Sequence, residues 1–266
     1  MIWRRLALLG LLLTAGCAAG PGPSASVSPV ESSAPTSPSP NDGDVLPNLV
    51  MTTLSNWRIE LDTDRRLLRL TTVFSNIGVG AFELRGTRVA STDDAIALEQ
   101  VVFNDSGGFR ELPTEVVARY AGDGHEHWHA QGVVSLALSP LDDPGEITTG
   151  DKIHFCFFDN IQYNLDLPGA PETSAYQRDW CGTPEATSIR MGLSVGWGDM
   201  YHWDFAYQWI DITDLPTGTY QLRVTVDAGE DFLETDDTDN CQMAQIAIPS
   251  DGEGEIVVIE AADQPC

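Results

Sequence analysis

Apolar and polar residues alternate over short runs along most of this chain. Residues 67–74 alternate and are rich in β-branched side chains, and residues 99–103, 133–138, 153–158, 220–226 and 256–259 follow the same pattern. A period of two places every second side chain on one face of an extended strand. Gly, Pro, Asn and Asp punctuate the intervals, as turns require. No long segment repeats its apolar positions at the 3.6-residue period of an amphipathic helix, and neither an internal repeat nor a heptad is visible. The pattern predicts an all-β fold, an antiparallel β-sandwich-like domain with long functional loops.

Ahead of these strands the chain differs in kind. Arg4 and Arg5 precede an apolar run, residues 6–13, that is too short for a stable bilayer anchor and reads as the core of a signal peptide over residues 1–16. Thr14, Ala15, Gly16 and Cys17 follow, and they resemble a bacterial lipobox in which Cys17 is lipidated and becomes the mature N-terminus. Residues 17–44 are dominated by Pro, Ser, Ala and Gly. Such a stretch buries too little surface to offset its ordering entropy, so a disordered linker is expected, holding the domain off the membrane. The globular domain is expected over residues 45–266, on an exported, membrane-anchored lipoprotein facing the extracellular or periplasmic side.

Composition narrows the partners. The hydrophobic fraction of 42% supports a sizeable core, and a mean hydropathy of -0.13 excludes a polytopic membrane protein. The formal net charge of -26 repels nucleic acid and anionic lipid and favours cations and basic partners. Contact with a membrane is therefore expected only through the lipid anchor. Export makes disulfides permissible. With Cys17 set aside, Cys156, Cys181, Cys241 and Cys266 allow three pairings, and the nearest-neighbour one, Cys156 with Cys181 and Cys241 with Cys266, is favoured.

The strongest chemical signal is His125-Glu126-His127-Trp128-His129, which holds three of the five histidines. On a strand these imidazoles share a face and converge on one metal if the strand bends. Imidazole suits Zn, Cu, Ni and Fe alike, so the spacing does not choose the metal. A little downstream stands Lys152, the only lysine of the sequence. Glu234, Asp236, Asp239 and Asn240 form an acidic loop between two predicted strands, with oxygen ligands dense enough for a hard cation such as calcium.

Several of these segments carry a resemblance. Arg65-Arg66-Leu67-Leu68-Arg69, Asp123-Gly124-His125-Glu126-His127-Trp128-His129 and Gly150-Asp151-Lys152-Ile153-His154-Phe155-Cys156 look like successive blocks of the lysyl oxidase catalytic domain. Gly192 to Tyr201, then Gln208 to Asp214, Pro216 to Tyr220 and Leu233 to Asn240, continue the order to the end of the chain. The resemblance implies a copper amine oxidase with copper on His125, His127 and His129. It also implies a lysyl tyrosylquinone built from Lys152 and Tyr201. The implied reaction converts peptidyl lysine or another primary amine to an aldehyde, consumes dioxygen and releases hydrogen peroxide and ammonia. A base must reach the α-proton of the amine; Asp204 is the candidate, with His154 and His202 as alternatives. The same resemblance implies a structural calcium on the acidic loop, together with a backbone carbonyl near Asn48.

The chain also departs from the animal members of that family. Gly122 and Gly124 stand where those carry a further histidine and a cysteine, and residues 160–180 lack family cysteines, which implies a version with fewer disulfides. A second reading is a non-catalytic cell-surface module that binds copper or calcium on an immunoglobulin-like scaffold. Lys152 and Tyr201 separate the two, because a binding module needs neither.

Overall fold

The alternating segments pair into three antiparallel sheets. The computed structural model of the chain describes residues 39–121, 124, 126–150, 154–249, 256–261 and 266, which fall in one unit, Ser37–Cys266. The proposed leader, Cys17 and most of the linker lie outside these residues, as do His125, Lys152 and Ile153.

Seven strands form the largest sheet: β1 (Asp44–Val45), β4 (Phe82–Thr87), β5 (Ala95–Asn104), β6 (Phe109–Tyr120), β7 (Trp128–Gln131), β10 (His154–Phe155) and β12 (Ser188–Leu193). The second holds β2 (Leu49–Asp62), β3 (Arg65–Asn76), β11 (Ile161–Gln162), β13 (Trp197–Tyr201) and β14 (Trp209–Asp211). The third holds β8 (Val134–Pro140), β9 (Thr148–Thr149), β15 (Gly218–Val226), β16 (Cys241–Ile248) and β17 (Val257–Ala261). Among the described residues there is no α-helix, only a 3-10 turn at Arg178–Cys181, and no helix is long and apolar enough to cross a membrane.

Strand β15 behaves as its sequence predicts: Tyr220, Leu222, Val224 and Val226 are buried while Arg223 is exposed. Strand β3 does not. Every residue from Leu67 to Asn76 is buried, polar ones included. The reason is that both edges and both faces are covered. Strands β2, β13 and β14 occupy its edges, and the segment after β13 crosses over it, with Arg69 donating to the Trp203 and Phe205 carbonyls and Gln208 donating to the Leu70 carbonyl.

Between the sheets lies an aromatic core. Phe74 packs against Phe155 and Phe157, and Phe82 against Phe157 and Phe232, at centroid distances of 4.8–5.6 Å. Burying each such ring stabilises the fold by about 1.5–3 kcal/mol. The disulfides are the nearest-neighbour pairs, Cys156–Cys181 with Cα atoms 6.1 Å apart and Cys241–Cys266 with 5.6 Å.

Two strand expectations need correction. The run 153–158 contributes only the two-residue β10. The ladder stops at Cys156 because its backbone N–H donates to the Tyr201 hydroxyl, which donates back to the Cys156 carbonyl. The histidine cluster is not one strand either. Strand β7 begins at Trp128, and Gly124 and Glu126 before it have left-handed φ of 94° and 53°, which breaks the pleat.

Candidate active site

Strand β7 is held between β6 and β10, with His129 opposite Arg119 on one side and Gln131 opposite His154 on the other. His129 therefore stands rigidly in a sheet, and His127 reaches the same place from the bend just before it. Both are buried. Their Nε2 atoms are 2.8 Å apart, with ring planes at 73°. On its other side, His129 Nδ1 lies 3.1 Å from His154 Nδ1.

Tyr201 comes from the neighbouring sheet. Strand β13 pairs with β3, Tyr201 opposite Thr72 and Asp199 opposite Phe74. The two strands lie unusually close at Gly198, where a Cβ would fall 2.6 Å from Ser75 Oγ and 2.9 Å from the Phe74 carbonyl oxygen. Tyr201 is 6% exposed, its ring edge-on to Phe155 at 4.5 Å and stacked on Phe74 at 6.0 Å. Its hydroxyl sits 3.2 Å from both the nitrogen and the oxygen of Cys156.

These groups share one cavity of about 440 Å³. His127, His129 and Tyr201 line it, with Asn160, Arg178 and Asp199 as further polar walls and Phe158, Met200 and Phe205 as apolar ones. Asp199 is fully buried, two residues before Tyr201 and so on its face of β13. Asn160 holds it in place, donating to Asp199 Oδ1 while its own oxygen accepts from the Met200 N–H. Arg178 arrives on the 3-10 turn, which the Cys156–Cys181 disulfide ties to the end of β10.

The sequence reading missed Asn160, Arg178 and Asp199. Strand periodicity counted back from Tyr201 identifies Asp199; nothing local marks Asn160 or Arg178. Asp204 is not among the residues lining the cavity. It is exposed and accepts from His202 Nδ1 at 2.6 Å, and this hydrogen bond holds its carboxyl below the usual range. His154 and His202 are likewise absent from the lining. His125 and Lys152 are outside the described residues, and among those that are described no three His, Cys, Asp or Glu side chains gather into a complete metal site.

The acidic loop lies between β15 and β16, as expected, and it packs on the segment Pro47–Leu49. Buried Glu234 accepts from the Leu49 N–H and from Asn240 Nδ2. Asn48 Nδ2 donates to Asp239, and Asn48 Oδ1 accepts from the Asp236 N–H. Burial pushes the Glu234 carboxyl well up, and it also raises Asp239. Asp239 Oδ1 and Asn240 Oδ1 are buried without a hydrogen-bond partner. Asp236 instead faces solvent and accepts from Thr238.

Comparison with known proteins adds a separate observation. A family model described as lysyl oxidase matches residues 118–258, a stretch containing the histidine cluster, Lys152, Tyr201 and the acidic loop. Protein-lysine 6-oxidase of Gallus gallus is 31% identical over 123 residues, 46% of this chain and 26% of that protein. Lysyl oxidase homolog 2 of Bos taurus is 29% identical over 119 residues, and lysyl oxidase homolog 3 of Homo sapiens 27% over 117, each covering 44% of this chain and 14% of its relative. The match thus spans 14–26% of the length of these relatives.

Proposed function

Because the chain belongs to the lysyl oxidase family, whose model covers more than half of it, we propose that it is a copper- and quinone-dependent amine oxidase. Its substrate is peptidyl lysine or another primary amine, and its products are an aldehyde, hydrogen peroxide and ammonia. The observation that carries the reading is the convergence of His127, His129 and Tyr201 on one cavity.

The residues present fit a copper ion. The His127 and His129 Nε2 atoms lie 2.8 Å apart on residues that line one cavity, and imidazole is a ligand type that suits copper. His125 would be the third ligand. The fit to lysyl tyrosylquinone rests on Tyr201, a buried ring that lines the cavity. Lys152 is tethered four residues before Cys156, a reach of at most about 14 Å. When bound, the copper and the quinone supply the two-electron acceptor and its reoxidation by dioxygen.

The chain's own side chains supply the rest. Phe158, Met200 and Phe205 give an apolar wall for the methylene stem of a lysine-like amine. Arg178 adds a guanidinium to the cavity lining. Asp199 is the carboxylate best placed to take the α-proton. It lines the cavity beside Tyr201 and Asn160 fixes its orientation, whereas Asp204, the choice from sequence, faces solvent in a pair with His202.

The full chain, produced with copper and air and digested for mass spectrometry, tests the core of this reading. A covalent Lys152–Tyr201 peptide and peroxide release on amine addition are expected. Recovery of both peptides unmodified would sink the quinone assignment and favour a binding module. For the acidic loop, the all-oxygen set of Glu234, Asp239 and Asn240 with its two unpartnered buried oxygens supports a structural calcium. Calcium added after chelation should then raise the melting temperature; no shift would remove calcium from the account.

A further inference from the structure

We propose that His154 is a positioning residue that fixes the tautomer and orientation of His129 for metal binding. The inference rests on the copper reading above and concerns a side chain to which that reading gives no role.

The two nitrogens of His129 have different surroundings. Nε2 lies 2.8 Å from His127 Nε2, and both residues line the cavity. Nδ1 faces His154 Nδ1 at 3.1 Å, and the two rings stack with centroids 5.2 Å apart and planes at 21°. The register explains the placement: His154 stands opposite Gln131, which shares a face with His129 because the two are separated by one residue. His154 thus meets His129 from behind, away from the cavity. The Tyr207 ring, 6.0 Å away, closes on it edge-first.

A neutral imidazole carries one proton on one of its two nitrogens. If Nε2 is to give its lone pair to a metal, the proton must sit on Nδ1, and that N–H needs an acceptor. His154 Nδ1, 3.1 Å away, is an acceptor in reach, and it fills that role with its own proton on Nε2. The opposite tautomer would point the His129 N–H at His127 Nε2 and deny the His129 nitrogen to a cation. A metal-binding histidine whose second nitrogen donates to a fixed acceptor is held in orientation and made more basic, and loss of such a partner costs about 10–100-fold in metal affinity.

Copper affinity of the full chain, measured by competition with a chromophoric chelator, tests this. His154→Ala should weaken binding about 10–100-fold, while His154→Gln, which keeps an acceptor, should recover most of it. Copper EPR should report the same number of nitrogen ligands in wild type and His154→Ala. An affinity within about twofold of wild type would overturn the proposal, and so would loss of one nitrogen from the EPR spectrum, which would make His154 a ligand. Nitrogen NMR of the metal-free protein decides the point independently of copper: a proton on His129 Nδ1 supports the assignment, and one on Nε2 overturns it. If wild type and His129→Ala both fail to bind copper, the metal reading falls, and the NMR result still judges the hydrogen bond.

Discussion

Tyr201 and Asp199 show how two positions on one short strand acquire different chemistry. The ring of Tyr201 is clamped between Phe74 and Phe155 and its hydroxyl is tied to the Cys156 backbone, so its orientation toward the cavity is set by the core. Asp199, on the same face, presents a buried carboxylate held by Asn160. General-base catalysis contributes about 10²–10⁴-fold. Asp199→Asn is therefore expected to lower kcat by two orders of magnitude or more while the Lys152–Tyr201 cross-link still forms. Asp204→Asn should change kcat by no more than a few-fold. Steady-state kinetics on both variants, with the cross-link checked by mass spectrometry, separates the two carboxylates; the reverse ranking would restore Asp204. The histidines stood out as a dense local motif, whereas Tyr201 was marked only by the family resemblance. Arg178 and Asn160 were not, because each is an ordinary residue locally and enters the site only through a disulfide or a loop contact.

The connecting segments do as much as the strands to build the cavity. Cys156–Cys181 joins the end of β10 to the 3-10 turn that carries Arg178. Removing a native disulfide typically costs about 2–5 kcal/mol. The double variant Cys156→Ala with Cys181→Ala should lose stability in that range by denaturant melts and should also lower the yield of cross-linked Lys152–Tyr201, since the disulfide fixes the Cys156 backbone whose N–H and carbonyl hold the Tyr201 hydroxyl. Asp159 is the other fastener. It accepts from the backbone N–H groups of Ala175, Tyr176 and Ser194 and from the Ser194 hydroxyl. Asp159→Ala leaves the buried Tyr176 and Ser194 donors without this partner, and a loss of about 1–3 kcal/mol or more is expected in the same assay.

Charge acts across the fold as a unit. At the end of β15, burial pushes the Asp227 carboxyl up to about 7 from its ordinary value of 3.8, while its oxygens accept from the Asp231 and Phe232 N–H groups. Glu234 is shifted in the same direction by burial. A carboxyl whose folded pKa is raised binds its proton more tightly in the native state. Its stabilisation is complete below the ordinary carboxylate range and is lost as pH rises from about 4 through about 7. The melting temperature of the metal-free protein should accordingly fall between pH 5 and pH 8, and Asp227→Asn should flatten that slope. An equal slope in the variant would exclude Asp227 as its source. With a net charge of -26, association with lysine-rich peptides should also weaken as salt is added, read as a falling kcat/KM, because screening shortens the reach of the surface charge.

Local pattern was sufficient for most strands and for the turns between them. A period of two announced the strands, a turn-rich acidic stretch announced the loop between β15 and β16, and close cysteine spacing matched the observed disulfides. The full burial of β3 was out of reach, because burial on a second face depends on a segment more than 130 residues away crossing it, as the Arg69 and Gln208 contacts show. The histidine cluster divides along the same line. Its composition advertised a metal site, but left-handed backbone at Gly124 and Glu126 keeps it from being one strand. The pairing of β7 with β10 then places His154 behind His129. Sequence spacing encodes which residues are neighbours along the backbone. Which side chains share a cavity is decided by how distant strands pair, and that is where Asp199, Arg178 and His154 acquired their places.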